Sequence, residues 1–440
     1  MRIALTECAA GAAVALMADI IRSFGQYICR NALQKPGYTR KLLLAGYRAF
    51  GLKLTLAPDR QLPYARRFSA RQINRTVTRM LSHPEQAALV SVFMPCELLE
   101  AMDIVPMCAE LYSAFLCGTW AESVFAEAAQ EEGIAETFCS YHKILLGSAY
   151  TKVLPAPAMV ANTSLLCDAN NLTFRELAEY YHIPHYYVDV PKDQSEESVR
   201  YVADQFRELT AFLEDHTGKK LDPWRLRENM ARSRETVDSL RSCMDYRGSR
   251  YLPGDVTSEL YEIYLAHNAL GTKGAAKYAN MLLHDFQNAA PAKGLKLLWL
   301  HSIPQWQEPV RNLLNLSDRC HIAGCDMAFE GLVDIDPDHP YESMAKRLVR
   351  SHWNGGQERI DFAVETARAL DADGVICFCH WGCKQAMGLS GVLKTSLEKQ
   401  GFPTLILNGD GCDRRNASDG QTATRLDAFL EMLEKGKRHD

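Results

Sequence analysis

Ala88-Leu-Val-Ser-Val-Phe93, followed by Pro95 and Glu97-Leu-Leu-Glu-Ala-Met102, is the stretch that decides the fold class. The first run is apolar except for Ser91 and has the length of a strand, and the second has the composition of a helix. A second short apolar run, Ile104-Val-Pro-Met107, comes directly after it. Strands that alternate with helices in this way are typical of βαβ units around a parallel sheet. We therefore predict an α/β fold.

The same alternation recurs along the chain. Further strand-like runs occur at Met159–Leu166, His185–Val190, Leu295–Leu300, His321–Ala323, Gly374–Phe378 and Pro403–Leu407. Helical periodicity without strands fills most of the segment between residues 195 and 288, and it divides the strands into two sets. We predict two parallel-sheet domains of Rossmann or flavodoxin type. A helical extension is expected at residues 1–85, the first α/β domain at 86–250, and a helical linker with the second α/β domain at 251–440.

Composition limits the class of partner. The 440 residues carry a net charge of -5, which gives no electrostatic reason to expect nucleic acid. Near the amino terminus, Leu5, Ala9, Ala13, Leu16 and Ile20 recur at helical spacing, so we predict an amphipathic helix there rather than a signal peptide. We expect no membrane span and a cytoplasmic location, where the 14 cysteines stay free or bind metal.

Three cysteines carry the chemical prediction: Cys139, Cys167 and Cys383. The last two each follow a predicted strand, and the carboxyl ends of parallel strands are where such sheets bind ligands. Thiolates are the ligands that iron–sulfur clusters take, and a following helix amino terminus favours their negative charge. Buried free cysteine is an equally ordinary interpretation, so the residues alone leave both alternatives open.

Other metal and phosphate motifs receive less support. Cys379-His-Trp-Gly-Cys383 also fits a zinc site with His380, although C-x-x-C pairs are missing from the sequence. No glycine-rich phosphate loop of either standard kind is present, so we do not expect this chain to hydrolyse ATP itself.

With these residues in view, the chain resembles the 2-hydroxyacyl-CoA dehydratase/benzoyl-CoA reductase family, over roughly residues 88–435. Four groups of segments carry the resemblance: Met94–Pro106; Phe138–Lys143; Asn162–Asp168 with Tyr187–Pro191; and Asp373–Ile376 with Gly382-Cys383, Pro403–Asp410 and Thr424–Phe429. Each motif is short, but their order and spacing together are specific.

The resemblance implies a [4Fe-4S] cluster held by Cys139, Cys167 and Cys383 between the two domains. It further implies a homologous partner subunit, or a second copy of the chain, and a separate ATP-hydrolysing iron–sulfur activator that injects one electron. In that family the electron reaches the thioester carbonyl of an acyl-CoA substrate, and a ketyl radical anion then expels the 2-hydroxyl group. The expected activity is that of a 2-hydroxyacyl-CoA dehydratase, a hydro-lyase.

Some residues depart from the family pattern. Cys96 follows Pro95, where many relatives carry a cysteine just before this motif, and Cys379 is close enough to Cys383 in sequence to serve as a ligand. Both are secondary metal-ligand candidates, and extra cysteines would suit the double-cubane reductase branch. A non-catalytic cluster-bearing partner subunit is a further alternative. No catalytic acid or base is assigned, because His142, His380 and Glu97 fit structural roles equally well.

Overall fold

The computed structural model describes residues 18–437 and contains two four-stranded parallel sheets. Their strands are short, and those with apolar sequences are buried on both faces. The first sheet consists of β1 (Ala87–Val90), β2 (Val105–Cys108), β3 (Met159–Thr163) and β4 (His185–Val188). The second consists of β7 (Leu295–Leu300), β8 (Cys320–Cys325), β9 (Gly374–His380) and β10 (Thr404–Gly409). A small antiparallel pair, β5 (Arg250–Tyr251) and β6 (Ala290–Pro291), lies between them in sequence.

Helices connect and cover these strands. In the amino-terminal half they are α1 (18–32 in the described part), α2 (Pro36–Leu56), α3 (Tyr64–Ser82), α4 (Glu97–Ala101), α5 (Ala109–Gly118), α6 (Glu122–Glu131), α7 (Ser140–Tyr150), α8 (Asp168–Tyr181) and α9 (Glu196–Thr217). The remainder are α10 (Pro223–Arg247), α11 (Val256–Ala266), α12 (Lys273–Gln287), α13 (Glu308–Leu314), α14 (Pro340–Val349), α15 (Gln357–Ala369), α16 (Lys384–Lys399) and α17 (Asp419–Lys437).

Both sheets have the same topology. The strand order is β2-β1-β3-β4 in the first sheet and, read in the opposite direction, β8-β7-β9-β10 in the second. Each sheet, together with the helices that cover it, forms one lobe of the molecule. Numbered within each lobe, both strand orders are 2-1-3-4, which is the order of flavodoxin-like sheets. The predicted fold class of two parallel-sheet α/β units is therefore confirmed. The two lobes place equivalent strands, first and third, at the centre of each sheet.

Several predicted strand ends need correction: β3 ends at Thr163 rather than Leu166, β4 at Val188 rather than Val190, and β8 continues to Cys325 beyond Ala323. β1 ends at Val90, so the three residues up to Phe93 form a turn rather than strand. β9 continues to His380, two residues beyond the predicted end, because Cys379 and His380 pair with Asn408 and Gly409 of β10. Cys379 therefore lies inside a strand and does not follow it.

The amino-terminal helices pack onto the helices that link the two lobes. Arg66 of α3 is buried and contacts Glu259 at 2.5 Å and Glu262 at 3.3 Å, both on α11. The helical character predicted for residues 1–85 holds over most of residues 18–82, whereas Leu5 to Leu16 of the predicted amphipathic helix lie outside the described residues. Within residues 18–437, no helix combines the length and hydropathy needed to cross a bilayer.

Candidate functional site

A cavity of about 540 Å³ lies where the carboxyl ends of the two sheets face each other. The segments that follow β1, β3, β7 and β9 all contribute to its walls. Its inner part is buried, with Trp353 only 1% exposed, whereas Leu172 and Met387 are 62% and 49% exposed. The cavity therefore runs from an open mouth to a water-poor floor, at the position where open α/β sheets bind ligands.

Cys167 and Cys383 occupy equivalent positions in the two lobes. Each follows the third strand of its sheet and caps the next helix, α8 or α16. Each sulfur accepts a hydrogen bond from a backbone N–H of the first turn, Cys167 from Asn170 at 3.4 Å and Cys383 from Ala386 at 3.5 Å. Burial raises the pKa of both thiols, and the free N–H groups at each helix amino terminus, which stabilise negative charge, offset only part of that rise.

Cys139 completes the group from a third helix terminus, that of α7. It meets the second lobe at Gly382, whose φ is +79°. A Cβ atom added at Gly382 would lie 2.9 Å from both the backbone N and Cα of Cys139. Only glycine allows this approach, and the approach brings Cys139 and Cys383 to the same cavity.

A different histidine faces each of the three sulfurs. The Sγ–Nε2 distances are 3.4 Å for Cys139 and His380, 3.7 Å for Cys167 and His142, and 3.5 Å for Cys383 and His301. His380 also accepts a hydrogen bond at Nδ1 from the N–H of Gly411 at 3.0 Å. Its neutral ring must therefore carry the proton on Nε2, which makes it a donor to the sulfur of Cys139.

Burial controls the protonation of these groups. It raises the pKa of the Cys139 thiol well above its usual value, and the negative charges of Cys167 and Cys383 raise it further. Burial likewise lowers the pKa of His142 to about 3 and that of His301 well below its usual range. The histidines are therefore neutral near pH 7 and do not supply the positive charge that three neighbouring thiolates need.

These features fit an iron–sulfur cluster. The donors are three soft sulfur atoms at three helix termini. The buried guanidinium of Arg359 offsets part of the rise that burial causes in the pKa of Cys383, and bound iron would add the further positive charge that three thiolates need. His380 and two backbone N–H groups already donate towards the sulfurs, which is how proteins orient and tune such ligands.

The secondary metal-ligand candidates lie elsewhere. Cys96 is fully buried, donates to the carbonyl of Met94 at 3.1 Å and does not line the cavity. Cys379 points towards Ser390 of α16, with 4.0 Å between the sulfur and the hydroxyl oxygen. Among residues 18–437, no group of three His, Cys, Asp or Glu side chains has the geometry to hold a single metal ion. The zinc alternative therefore has no geometric support in this part of the chain.

The acid–base candidates divide into two kinds. His142 and His380 line the cavity, but Glu97 lies outside it, buried in an ion pair with Arg347 and a hydrogen bond with Ser233. Glu97 therefore has a structural role.

Sequence reasoning missed two residues of the cavity, His301 and Glu110. His301 directly follows β7 and Glu110 lies two residues after β2, so the strand-end rule applied to the cysteines would have found both. Glu110 accepts from the N–H of Val92 at 3.0 Å, and one of its oxygens lies 3.8 Å from Nε2 of His142. Burial raises the pKa of Glu110 to about 7.

Residues 91–433, most of the chain, match the sequence model of the 2-hydroxyglutaryl-CoA dehydratase D-component family. The chain belongs to this family. The match confirms the predicted family and, at the level of the family, the predicted dehydratase-type lyase.

Three relatives illustrate the similarity. The (R)-phenyllactyl-CoA dehydratase alpha subunit of Clostridium sporogenes is 23% identical over 364 residues, which cover 77% of this chain and 87% of the relative. The lactoyl-CoA dehydratase subunit alpha of Anaerotignum propionicum is 22% identical over 381 residues, with coverages of 77% and 89%. The (R)-2-hydroxyglutaryl-CoA dehydratase subunit alpha of Acidaminococcus fermentans is 21% identical over 301 residues, with coverages of 64% and 61%. All three are named as subunits of acyl-CoA dehydratases.

Proposed function

We propose that this chain is the iron–sulfur subunit of a 2-hydroxyacyl-CoA dehydratase that eliminates water from a CoA thioester after a one-electron activation. One observation carries the proposal: Cys139, Cys167 and Cys383, each at a helix amino terminus, line one cavity between the two lobes. The names of the relatives support the reaction class, and they indicate a further subunit as a partner. A separate ATP-hydrolysing activator remains part of the proposal.

A [4Fe-4S] cluster bound by the three cysteines would supply single electrons and one iron without a protein ligand. The chain itself contributes the surroundings. Phe93 and Trp353 help to close the floor of the cavity to water, which strengthens electrostatic interactions inside it. His380 holds Cys139 through its Nε2–H group.

We assign the proton transfer of this reaction to Glu110. Its pKa of about 7 allows the carboxyl group to hold or release a proton near neutral pH, and its side chain faces the cavity beside His142. A dehydration must remove a proton from the carbon next to C2, and a base tuned towards neutrality suits that step.

Cluster content tests the ligand set directly. The chain is purified and reconstituted without oxygen, and iron and sulfide are quantified for the wild type and for alanine variants of Cys139, Cys167 and Cys383. We expect about four irons per wild-type chain and a large loss in each variant, because each removes one cluster ligand. Alanine variants of Cys96 and Cys379 are the matched controls, since both thiols are buried away from the cavity.

Activity tests the reaction. Several 2-hydroxyacyl-CoA thioesters are assayed with the partner subunit and a low-potential one-electron donor under anaerobic conditions. Product formation that survives Cys383→Ala would contradict the proposed mechanism. A loaded chain that forms no product would instead support a non-catalytic partner subunit. About eight irons per chain would support the double-cubane branch.

A further inference from the structure

We propose that the cavity selects 2-hydroxyacyl-CoA thioesters with an uncharged, branched or aromatic acyl side chain and rejects those whose acyl chain ends in a second carboxylate. This inference rests on the proposed function and adds the substrate class. The relatives do not decide it, because their names include both uncharged acyl groups and the dicarboxylic hydroxyglutaryl group.

The floor of the cavity is apolar and aromatic. Phe93 and Trp353 lie with their ring centroids 5.9 Å apart, and Leu260 and Ile263 of α11 add aliphatic surface. All four side chains are buried. Removing a branched or aromatic acyl group from water against such a surface is favourable in proportion to its apolar area.

The floor also lies next to the proposed cluster site. His301 stacks on Trp353 with 5.7 Å between centroids and an interplanar angle of 2°, and its Nε2 faces Cys383. An acyl chain that rests on the rings of Phe93 and Trp353 therefore has its thioester end near the three sulfurs.

In the described part of the chain, no lysine or arginine lines the floor of the cavity. Among the described residues that line the cavity, Lys384 is the only lysine or arginine, and it is exposed at the mouth. Arg359 lies against the ring of Trp353, with its Cζ 3.9 Å from the ring centroid. Its charge offsets part of the rise that burial causes in the pKa of Cys383, but its side chain does not line the cavity and so offers no direct contact to an acyl carboxylate. The three cavity histidines direct Nε2 towards the cysteine sulfurs.

The cavity already contains a carboxyl group. Glu110 lines it and is held by the N–H of Val92 at 3.0 Å and by the thiol of Cys108 at 3.4 Å. A second carboxylate at the floor would be buried without a partner, and it would also meet a like charge whenever Glu110 is ionised. Burial of an unpaired carboxylate is costly enough to exclude such a group.

Binding of unreactive thioesters tests the inference without turnover. The probes are 4-methylpentanoyl-CoA and glutaryl-CoA, which lack the 2-hydroxyl group and differ in the distal carboxylate. Both are titrated calorimetrically into the full-length chain, reconstituted and assembled with its partner subunit under anaerobic conditions. We expect the uncharged ester to bind about 100-fold more tightly, which corresponds to about 2.8 kcal/mol.

Glu110→Gln removes the carboxylate and can still accept the hydrogen bond from Val92. We expect it to reduce the preference for the uncharged ester by about tenfold, or about 1.4 kcal/mol. Glu127→Gln is the matched control, because Glu127 is exposed on α6 and lies outside the cavity, and it should leave the preference unchanged.

The outcomes separate this inference from the proposed function. If glutaryl-CoA binds to the unmodified chain as tightly as the uncharged ester does, the proposed substrate class is wrong, and the proposed function still stands. Failure of both esters to bind would overturn the proposed function and the substrate class with it. The comparison in the unmodified chain decides the matter even if Glu110→Gln fails to fold.

Discussion

Replacement of Gly382 by alanine should destabilise the chain because two independent costs meet at this position. The backbone has φ of +79°, a left-handed conformation that costs a residue with a side chain about 1–2 kcal/mol. The new methyl group would also lie 2.9 Å from the backbone of Cys139, and the neighbouring atoms are backbone atoms that cannot rotate away. Overpacking of this kind costs about 1–3 kcal/mol. We expect a total loss of about 2–5 kcal/mol in the free energy of unfolding.

Gly401 provides the matched control at the other end of the same helix, α16. Its φ is +87°, but a Cβ atom there would meet no other atom within 4 Å. Gly401→Ala should therefore lose only the conformational part, about 1–2 kcal/mol. Anaerobic urea denaturation followed by circular dichroism measures both losses, and iron content measures whether Cys139 and Cys383 still share a site. Equal losses in the two variants would refute the close approach of the lobes at Gly382.

Two further predictions concern buried charge. The pKa of Glu110 is raised from 4.5 to about 7, so the folded state binds more protons than the unfolded state in this window and loses stability as pH rises through it. Glu110→Gln removes this loss, so its stability relative to wild type should increase between pH 5 and 8 by on the order of 3 kcal/mol in urea denaturation; a pH-independent difference would contradict the raised pKa. Arg66→Met removes the buried positive charge that pairs with Glu259 and Glu262, and it should lower the free energy of unfolding by about 3–5 kcal/mol. Arg75→Met, on the exposed face of the same helix, should change stability by less than about 0.5 kcal/mol, and similar thermal denaturation of the two variants would argue against the buried pair.

The alternation of strands and helices was predictable because buried parallel strands are continuous or nearly continuous apolar runs, as in Ala87–Val90. The strand order was not, since hydrophobic periodicity carries no information about which strands pair. The end of β9 was misplaced for a related reason. Cys379 and His380 are not typical strand residues, and only their pairing with β10 keeps them in the sheet.

The site was predictable in part. Position after a strand indicated Cys167 and Cys383, whereas Cys139 follows no strand and was identified through the family resemblance. His301 and Glu110 were missed because one polar residue after an apolar run looks like any other in sequence. Their role depends on the packing of distant segments: His301 and Cys383, which meet at 3.5 Å, are 82 residues apart in the chain.

The division of the three thiols between the lobes has a consequence for biosynthesis. Cys139 and Cys167 leave the ribosome with the first lobe, but Cys383 emerges more than two hundred residues later, and β10 and α17 must still follow it. Until then the first lobe presents an incomplete set of sulfurs to the cell. Insertion of any inorganic group that needs all three must therefore wait until translation is nearly finished.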